Sequence, residues 1–238
     1  MTEPPAQRVR RHGLTVRICH WINVVAVGYL LVSGVHIFLD FPELYWGKVG
    51  FQGHPAAFRL ADWGISWDQA GAWGDRRWGR NYHFTFAWVF VINGLVYVAW
   101  SLRRRHFRRS MLPGGAASAS PGREEQRAAA GGDAAEPPTS GTPMPRYRTP
   151  QGIAYLTMIF FLIPLLFVTG IAQMPAFTAI APWLIDVFGG RQTARTIHTI
   201  ATVAVVLFAV IHVGQVIATG FVRNLRGMIT GSTPLQED

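Results

Sequence analysis

Residues 195–222 read RTIHTIATVAVVLFAVIHVGQVIATGFV. A helix crosses a bilayer core on roughly 20 apolar residues, and this stretch is longer than that, with Arg195 its only formal charge. Two histidines lie inside it, where ionisable side chains are costly and therefore point to function. His198 and His212 are fourteen positions apart. At about 100° per residue they fall within about 40° of one another on the helix face, and about 21 Å apart along the axis. One metal ion cannot be shared over that distance. Two separate cofactors can, each taking one imidazole from this helix.

Three more stretches have the same character: Ile18 to Leu39, Tyr82 to Leu102 and Gly152 to Gln173. Half of the 238 residues are hydrophobic and 15% are charged, against about 25% charged in a soluble domain. The deficit sits in the four stretches, which excludes a soluble globular enzyme. Nine Trp and fifteen Phe exclude disorder of the whole chain. A single cysteine excludes an internal disulfide framework, a Cys-ligated zinc site, an iron–sulfur cluster bound by this chain alone and the attachment motif of c-type haem. Arg8, Arg10 and Arg11 precede the first stretch as in a signal peptide, but the stretch is too long for such a segment and no small-x-small cleavage site follows, so it is read as a retained span.

The net charge of +9 comes mostly from arginines beside apolar runs, a topology signal rather than a nucleic-acid footprint. The tail 1–17 holds Arg8, Arg10, Arg11 and Arg17, the connection 103–151 opens with Arg103, Arg104, Arg105, Arg108 and Arg109, and the tail 223–238 holds Arg223 and Arg226. Four spans put these three regions on one side. The positive-inside rule makes that side cytoplasmic, so both termini are expected in the cytoplasm of a bacterium, with the chain multi-pass in its inner membrane. The expected organisation is a cytoplasmic tail (1–17), a transmembrane hairpin (18–102) with a Trp-rich periplasmic loop (40–81), a flexible Ala/Gly/Ser/Pro cytoplasmic linker (103–151), a second hairpin (152–222) and a cytoplasmic tail (223–238). The loop carries Trp46, Trp63, Trp67, Trp73 and Trp78. It reads either as an interfacial aromatic belt or as an ordered cap that docks a partner.

The two hairpins resemble each other. Residues 30–36, LLVSGVH, align with 166–172, LFVTGIA, and the second helix of each hairpin has a histidine near its outer end, His83 and His198. In this alignment Gly34 and Gly170 remove side chains where something flat can approach the backbone.

Depth sorts the histidines into pairs. Spans one and four place His20 and His212 near the inner surface, and spans two and four place His83 and His198 near the outer one. Each pair takes one imidazole from each of two helices, the arrangement that bis-His axial ligation of a haem requires. His36 is also at outer depth, but it turns about 160° away from the face of His20 and reads as an interface or propionate-side residue. His12, His54 and His106 read as surface residues. Arg17 and Arg195, each one turn before a candidate ligand, are expected to contact haem propionates or to set topology. Asn23, Asn93 and Gln215 are candidate quinone contacts or interhelical polar glue. Cys19 reads as a small packing residue.

The segment RICHWIN at 17–23, the later Ser33-Gly34 and the His198–His212 spacing resemble the bacterial di-haem cytochrome b family. That family includes the b-type cytochrome subunit of nickel–iron hydrogenase, the gamma subunit of formate dehydrogenase and thiosulfate reductase cytochrome b subunits. The resemblance implies an all-α integral membrane protein, a four-transmembrane-helix bundle binding two b-type haems, with His20, His83, His198 and His212 as axial ligands of the haem iron. It implies an electron-transfer subunit working between a periplasmic catalytic or electron-transfer subunit, of molybdopterin or hydrogenase type, and quinone. The Trp-rich loop and the long linker depart from the simplest members. Two other readings stay open. One is a stand-alone superoxide- or quinone-linked oxidoreductase, in which Arg76, Arg77 and Arg80 steer an anion. The other is a transporter or scaffold whose histidines are structural or bind metal ions.

Overall fold

The computed structural model describes residues 8–10, 13–103 and 149–234. Most of the expected linker (104–148), His12 and His106 lie outside the described residues. Among the described residues four helices are long and apolar enough to cross a membrane: Leu14–Asp40, Arg76–Arg103, Gly152–Gln173 and Arg191–Ala218. The first two contain the stretches read from the sequence, the third has the same bounds, and the fourth is displaced by four residues toward the N-terminus. A helix satisfies its own backbone polar groups, as lipid requires.

Helix α1 (Leu14–Asp40) is followed by the cap, which contains strands β2 (Glu43–Leu44) and β3 (Phe58–Arg59) and helix α2 (Trp67–Trp73). Strand β1 (Arg8–Arg10) precedes it. Helix α3 (Arg76–Arg103) returns across the bundle. The second hairpin consists of α4 (Thr149–Thr157), a π-turn (Met158–Leu162), α5 (Ile163–Gln173), the short α6 (Pro175–Ile180) and α7 (Trp183–Val187), and α8 (Arg191–Ala218). The π-turn sits where Pro164 lacks the N–H that would bond back to the previous turn, so the local unwinding has a covalent cause.

Packing inside each hairpin runs through small side chains, as it does between membrane helices generally. On α1 the buried residues are Cys19, Ala26 and Ser33, at seven-residue intervals. On α3 Gly79 is buried: a Cβ there would meet the Ile37 side chain and the Ser33 carbonyl at 2.9 Å, so glycine sets how closely the helices approach. In the second hairpin Thr169, Ala172, Ala194 and Ala201 occupy the corresponding seam. Val24, Leu95, Phe161, Val203 and Val210 face outward, the reverse of a soluble fold and suited to acyl chains.

The fourth crossing ends earlier than the sequence reading placed it. Helix α8 stops at Ala218, Gly220 takes φ +104°, and Phe221 and Val222 open a separate helix, α9 (Phe221–Thr230). The residues expected as a plain tail therefore contain an amphipathic helix, with Arg223 and Arg226 on one side and Phe221, Leu225 and Ile229 on the other. Strand β4 (Ser232–Pro234) then pairs antiparallel with β1. The side chains of Arg17 and Trp21 both donate to the Met228 carbonyl at 3.3 Å. Both ends of the chain thus meet at one end of the bundle, as an even number of crossings requires.

The cap at the opposite end is ordered. Ser66 and Gln69 form a reciprocal capping box that starts α2. Trp67 packs edge-on against Phe41 at 5.0 Å. Tyr45 is fully buried, its hydroxyl donating to the Glu43 carboxylate and lying 2.7 Å from the Phe51 carbonyl. Burial, followed by the bond to Glu43, pushes its phenol up to about 12. The backbone after Tyr45 caps α8: the Gly47 carbonyl accepts from the N–H groups of Gln192 (3.1 Å) and Thr193 (3.3 Å), supplying partners that a helix start otherwise lacks. Gly190 has φ +136°, and a Cβ on it would run into the Gly47 carbonyl, so only glycine lets cap and helix meet there.

Candidate functional site

Two pairs of histidines face each other across the bundle. His83 on α3 and His198 on α8 have ring centres 6.1 Å apart with planes at 61°. His20 on α1 and His212 on α8 have ring centres 6.3 Å apart with planes at 66°. Both pairings are those expected from depth. Metal–nitrogen bonds of about 2 Å on both sides of one ion put two imidazole centres roughly 6 Å apart, so both pairs have the separation for sandwiching a metal. Among the described residues no group of three or more His, Cys, Asp or Glu could hold a bare ion. Two imidazoles on opposite sides suit a metal whose remaining ligands come from a macrocycle.

The cap-side pair lines a cavity of about 950 Å³, walled mainly by Leu, Val, Phe and Ile side chains. Four arginines also line it: Arg76, Arg80, Arg191 and Arg195. Their spacing carries a signal the sequence reading missed. Arg76, Arg80 and His83 repeat as Arg191, Arg195 and His198, an Arg-x3-Arg-x2-His pattern at the start of both helices. Comparing the two hairpins from their first helical residues, rather than from their histidines alone, would have revealed it.

The partners of these arginines are specific. Arg195 donates to the Glu43 carbonyl at 2.8 Å and to the Phe41 carbonyl, and lies 4.7 Å over the Phe41 ring. Arg191 donates to Thr178 Oγ1 at 3.1 Å, Arg76 pairs with Asp40, and Arg80 lies 5.8 Å over the Phe84 ring. Arg17, at the other end of the bundle, holds α9 through Met228.

Each outer imidazole meets a hydroxyl from its own hairpin. His83 Nδ1 is 3.1 Å from Ser33 Oγ, and His198 Nδ1 is 3.0 Å from Thr169 Oγ1. In the inner pair His212 Nδ1 is 3.2 Å from the Tyr155 hydroxyl. Tyr155 and Thr169 have the same fourteen-residue spacing as His198 and His212 and run in the opposite direction, so one side of the third crossing serves both histidines of the fourth. That spacing was the signal for Tyr155 in the sequence. Gly34 and Gly170 lie against the imidazole edges of His83 and His198 and also line the cavity.

The remaining expectations fall as follows. His36 packs edge-on against Trp78 at 5.0 Å, away from both pairs. His54 packs on Phe51 and Tyr45. Asn93 donates both of its amide hydrogens, to the Cys19 carbonyl at 2.8 Å and to Asn23 Oδ1 at 2.7 Å, tying α3 to α1. Gln215 is exposed, one turn beyond His212. Cys19 is buried in the α1 seam.

A four-helix membrane bundle with paired histidines between its helices defines a cytochrome b. The chain belongs to the prokaryotic cytochrome b561 family, whose model matches residues 11–231. It is therefore a multi-pass, haem-binding electron-transfer protein, and the family's haem is of b type. Among curated proteins it is similar to one from Azospira oryzae described as "Putative protein-methionine-sulfoxide reductase subunit YedZ1", with 26% identity over 220 residues, covering 92% of this chain and 96% of the relative.

Proposed function

We propose that this chain binds two b-type haems, an outer one between His83 and His198 and an inner one between His20 and His212, and connects a partner redox subunit on the cap side with the quinone pool. The observation that carries this reading is the pair of ring separations, 6.1 and 6.3 Å, at the two ends of one helix. A haem held by two imidazoles would supply reversible one-electron transfer. The residues do the rest. Arg76, Arg80, Arg191 and Arg195 offer positive charge to the propionates of the outer group, with Arg195 fixed in place by the cap carbonyls. Arg17 does so at the inner end, while also anchoring α9. The helices hold the imidazoles apart.

The arginine distribution orients the bundle with both termini in the bacterial cytoplasm and the cap in the periplasm. We assign the partner to the cap, where Trp63 and Trp73 are each 76% exposed on an otherwise ordered surface. It is a catalytic or electron-transfer subunit of molybdopterin or hydrogenase type, and the description of the Azospira oryzae relative favours a methionine-sulfoxide reductase. With both amide hydrogens of Asn93 committed between helices, Gln215 is the foremost contact for quinone, with Asn23 second.

The test is separate replacement of His198 and His212 by Ala, with the b-haem content of purified protein measured by its reduced-minus-oxidised spectrum. Each variant is expected to lose about half of the signal. No loss in either contradicts the assignment. One other reading has a specific observation behind it: four arginines beside the outer pair suit a stand-alone oxidoreductase acting on a small anion such as superoxide. Activity with superoxide and quinone in the purified chain, with no subunit co-purifying from native membranes, would favour it.

A further inference from the structure

We propose that the segments Leu30–Gly34 and Leu166–Gly170 are orienting cradles for the outer imidazoles: the Ser33 or Thr169 hydroxyl, together with the Leu30 or Leu166 carbonyl, fixes which ring nitrogen of the histidine carries the proton, and each glycine leaves room for the edge of that ring. The inference rests on the haem assignment above and concerns residues that touch the ligands, not the haem.

The proton count follows from the hydroxyls. A serine or threonine hydroxyl has one hydrogen to donate. Ser33 Oγ lies 2.5 Å from the Tyr29 carbonyl and 3.2 Å from that of Leu30. Thr169 Oγ1 lies 2.7 Å from the Leu165 carbonyl and 3.1 Å from that of Leu166. Carbonyls only accept, so in both cases the hydrogen is directed along the helix. Toward the histidine, then, each oxygen can only accept, and at 3.1 and 3.0 Å it accepts from Nδ1–H, alongside the backbone carbonyls of Leu30 and Leu166, which also hydrogen-bond His83 and His198. That leaves Nε2 of both rings with a lone pair, the state a metal ligand needs. Ser33 and Thr169 are both fully buried, so water does not compete for the bond.

The neighbouring glycines complete the fit. A Cβ at Gly34 would lie 3.5 Å from His83 Cε1, and one at Gly170 would lie 3.4 Å from His198 Cε1. A single methyl would touch the ring; anything larger would push it. Hydroxyl and gap occur in the same order in both hairpins and act on the same two ring atoms. A seam residue selected only for small size would not need a hydroxyl whose oxygen faces Nδ1.

A ring that donates Nδ1–H to a hydroxyl oxygen is a stronger donor at Nε2, which favours oxidised iron. Losing the bond should raise the midpoint potential of the outer haem and leave the inner one in place. The experiment is a redox titration and low-temperature electron paramagnetic resonance on purified holoprotein carrying Ser33→Ala, Thr169→Val or both. Thr169→Val keeps the side-chain shape and so separates loss of the bond from loss of packing, and Ser33→Thr and Thr169→Ser serve as rescues. We expect two haems per chain in each variant. The outer midpoint and the outer low-spin signal should shift, further in the double variant, with wild-type values restored by the rescues. Unchanged outer midpoint and signal in both single variants overturn the cradle, as do equal shifts of both haems. A wild-type protein with no haem between His83 and His198, detected as unchanged haem content in His83→Ala, overturns the assignment on which the cradle rests and is distinct from either result.

Discussion

The two histidine pairs are alike in separation and different in construction. The outer pair obeys the internal repeat in full: each hairpin supplies one imidazole from its second helix and one hydroxyl-glycine step from its first. The inner pair breaks the repeat, drawing His20 from the first helix of one hairpin and His212 from the second helix of the other. Where hairpin two sets Tyr155 against His212, the matching positions of hairpin one are Cys19 and Tyr97. The outer imidazoles are held by buried hydroxyls tied to helix carbonyls, under a cap that is itself bonded to α8. The inner site is held by a phenol and by side chains of the helices near the two termini. Symmetry thus serves rigid placement at one end, and its loss at the other makes room for a different neighbourhood around the inner ligands.

The largest effect that could break this comparison is steric. Gly170→Leu should displace His198 and remove the outer haem while leaving the inner haem at full occupancy, which haem quantification would show. Gly170→Ala should keep both, because its methyl only reaches ordinary contact. A variant that loses both haems would mean that the two sites are not independent.

Next is Tyr155→Phe, which deletes the bond to His212 Nδ1 and leaves the ring in place. Haem content should stay at two per chain while the inner midpoint rises and the outer midpoint holds. A shift of the outer midpoint alone would reverse the assignment of hydroxyls to sites.

Smaller effects probe the scaffold. Asn93→Leu removes the bonds to Asn23 and Cys19, and interhelical hydrogen bonds in membranes average about 0.6 kcal/mol with a maximum near about 1.7. A loss in that range, with quinone reduction retained, would confirm Asn93 as glue. Thr196→Val deletes the 2.6 Å bond to the Tyr45 carbonyl, worth about 1 kcal/mol, and should lower Tm by about 2–4 °C. Outside the neutral range lies the titration of Tyr45. Its phenol is raised from the usual value near about 10 to about 12, so the folded protein holds that proton more tightly. The stabilisation is complete below about pH 10 and is lost as pH rises toward 12, and phenolate absorbance from Tyr45 should be absent below that window.

Much of this was legible in the chain because lipid simplifies the code. Four long apolar runs admit few structures, and histidines inside them are too costly to be incidental, so the pairs His20–His212 and His83–His198 follow from depth and a fourteen-residue spacing. What was missed is where apolar content says little about backbone. Phe221 and Val222 are apolar and were counted with the fourth crossing, but Gly220 at positive φ had already ended it. The π-turn depends on Pro164, whose effect on the ladder is not visible in hydropathy. The ordered cap was one of two readings of the Trp-rich loop, but the bonds that tie it to the bundle, such as Gly47 with Gln192 and Thr193, join distant residues and have no local signature. The Arg-x3-Arg-x2-His repeat was present throughout and was hidden by treating Arg76 and Arg80 as loop charge.

The central claim is that one helix serves two haems. The most direct measurement is the haem-to-protein ratio of the purified wild-type chain, taken together with its equilibrium redox titration. The account predicts two b haems per chain and a titration resolved into two one-electron components. A ratio of one, or a ratio that is unchanged when His83 or His20 is replaced, would contradict it.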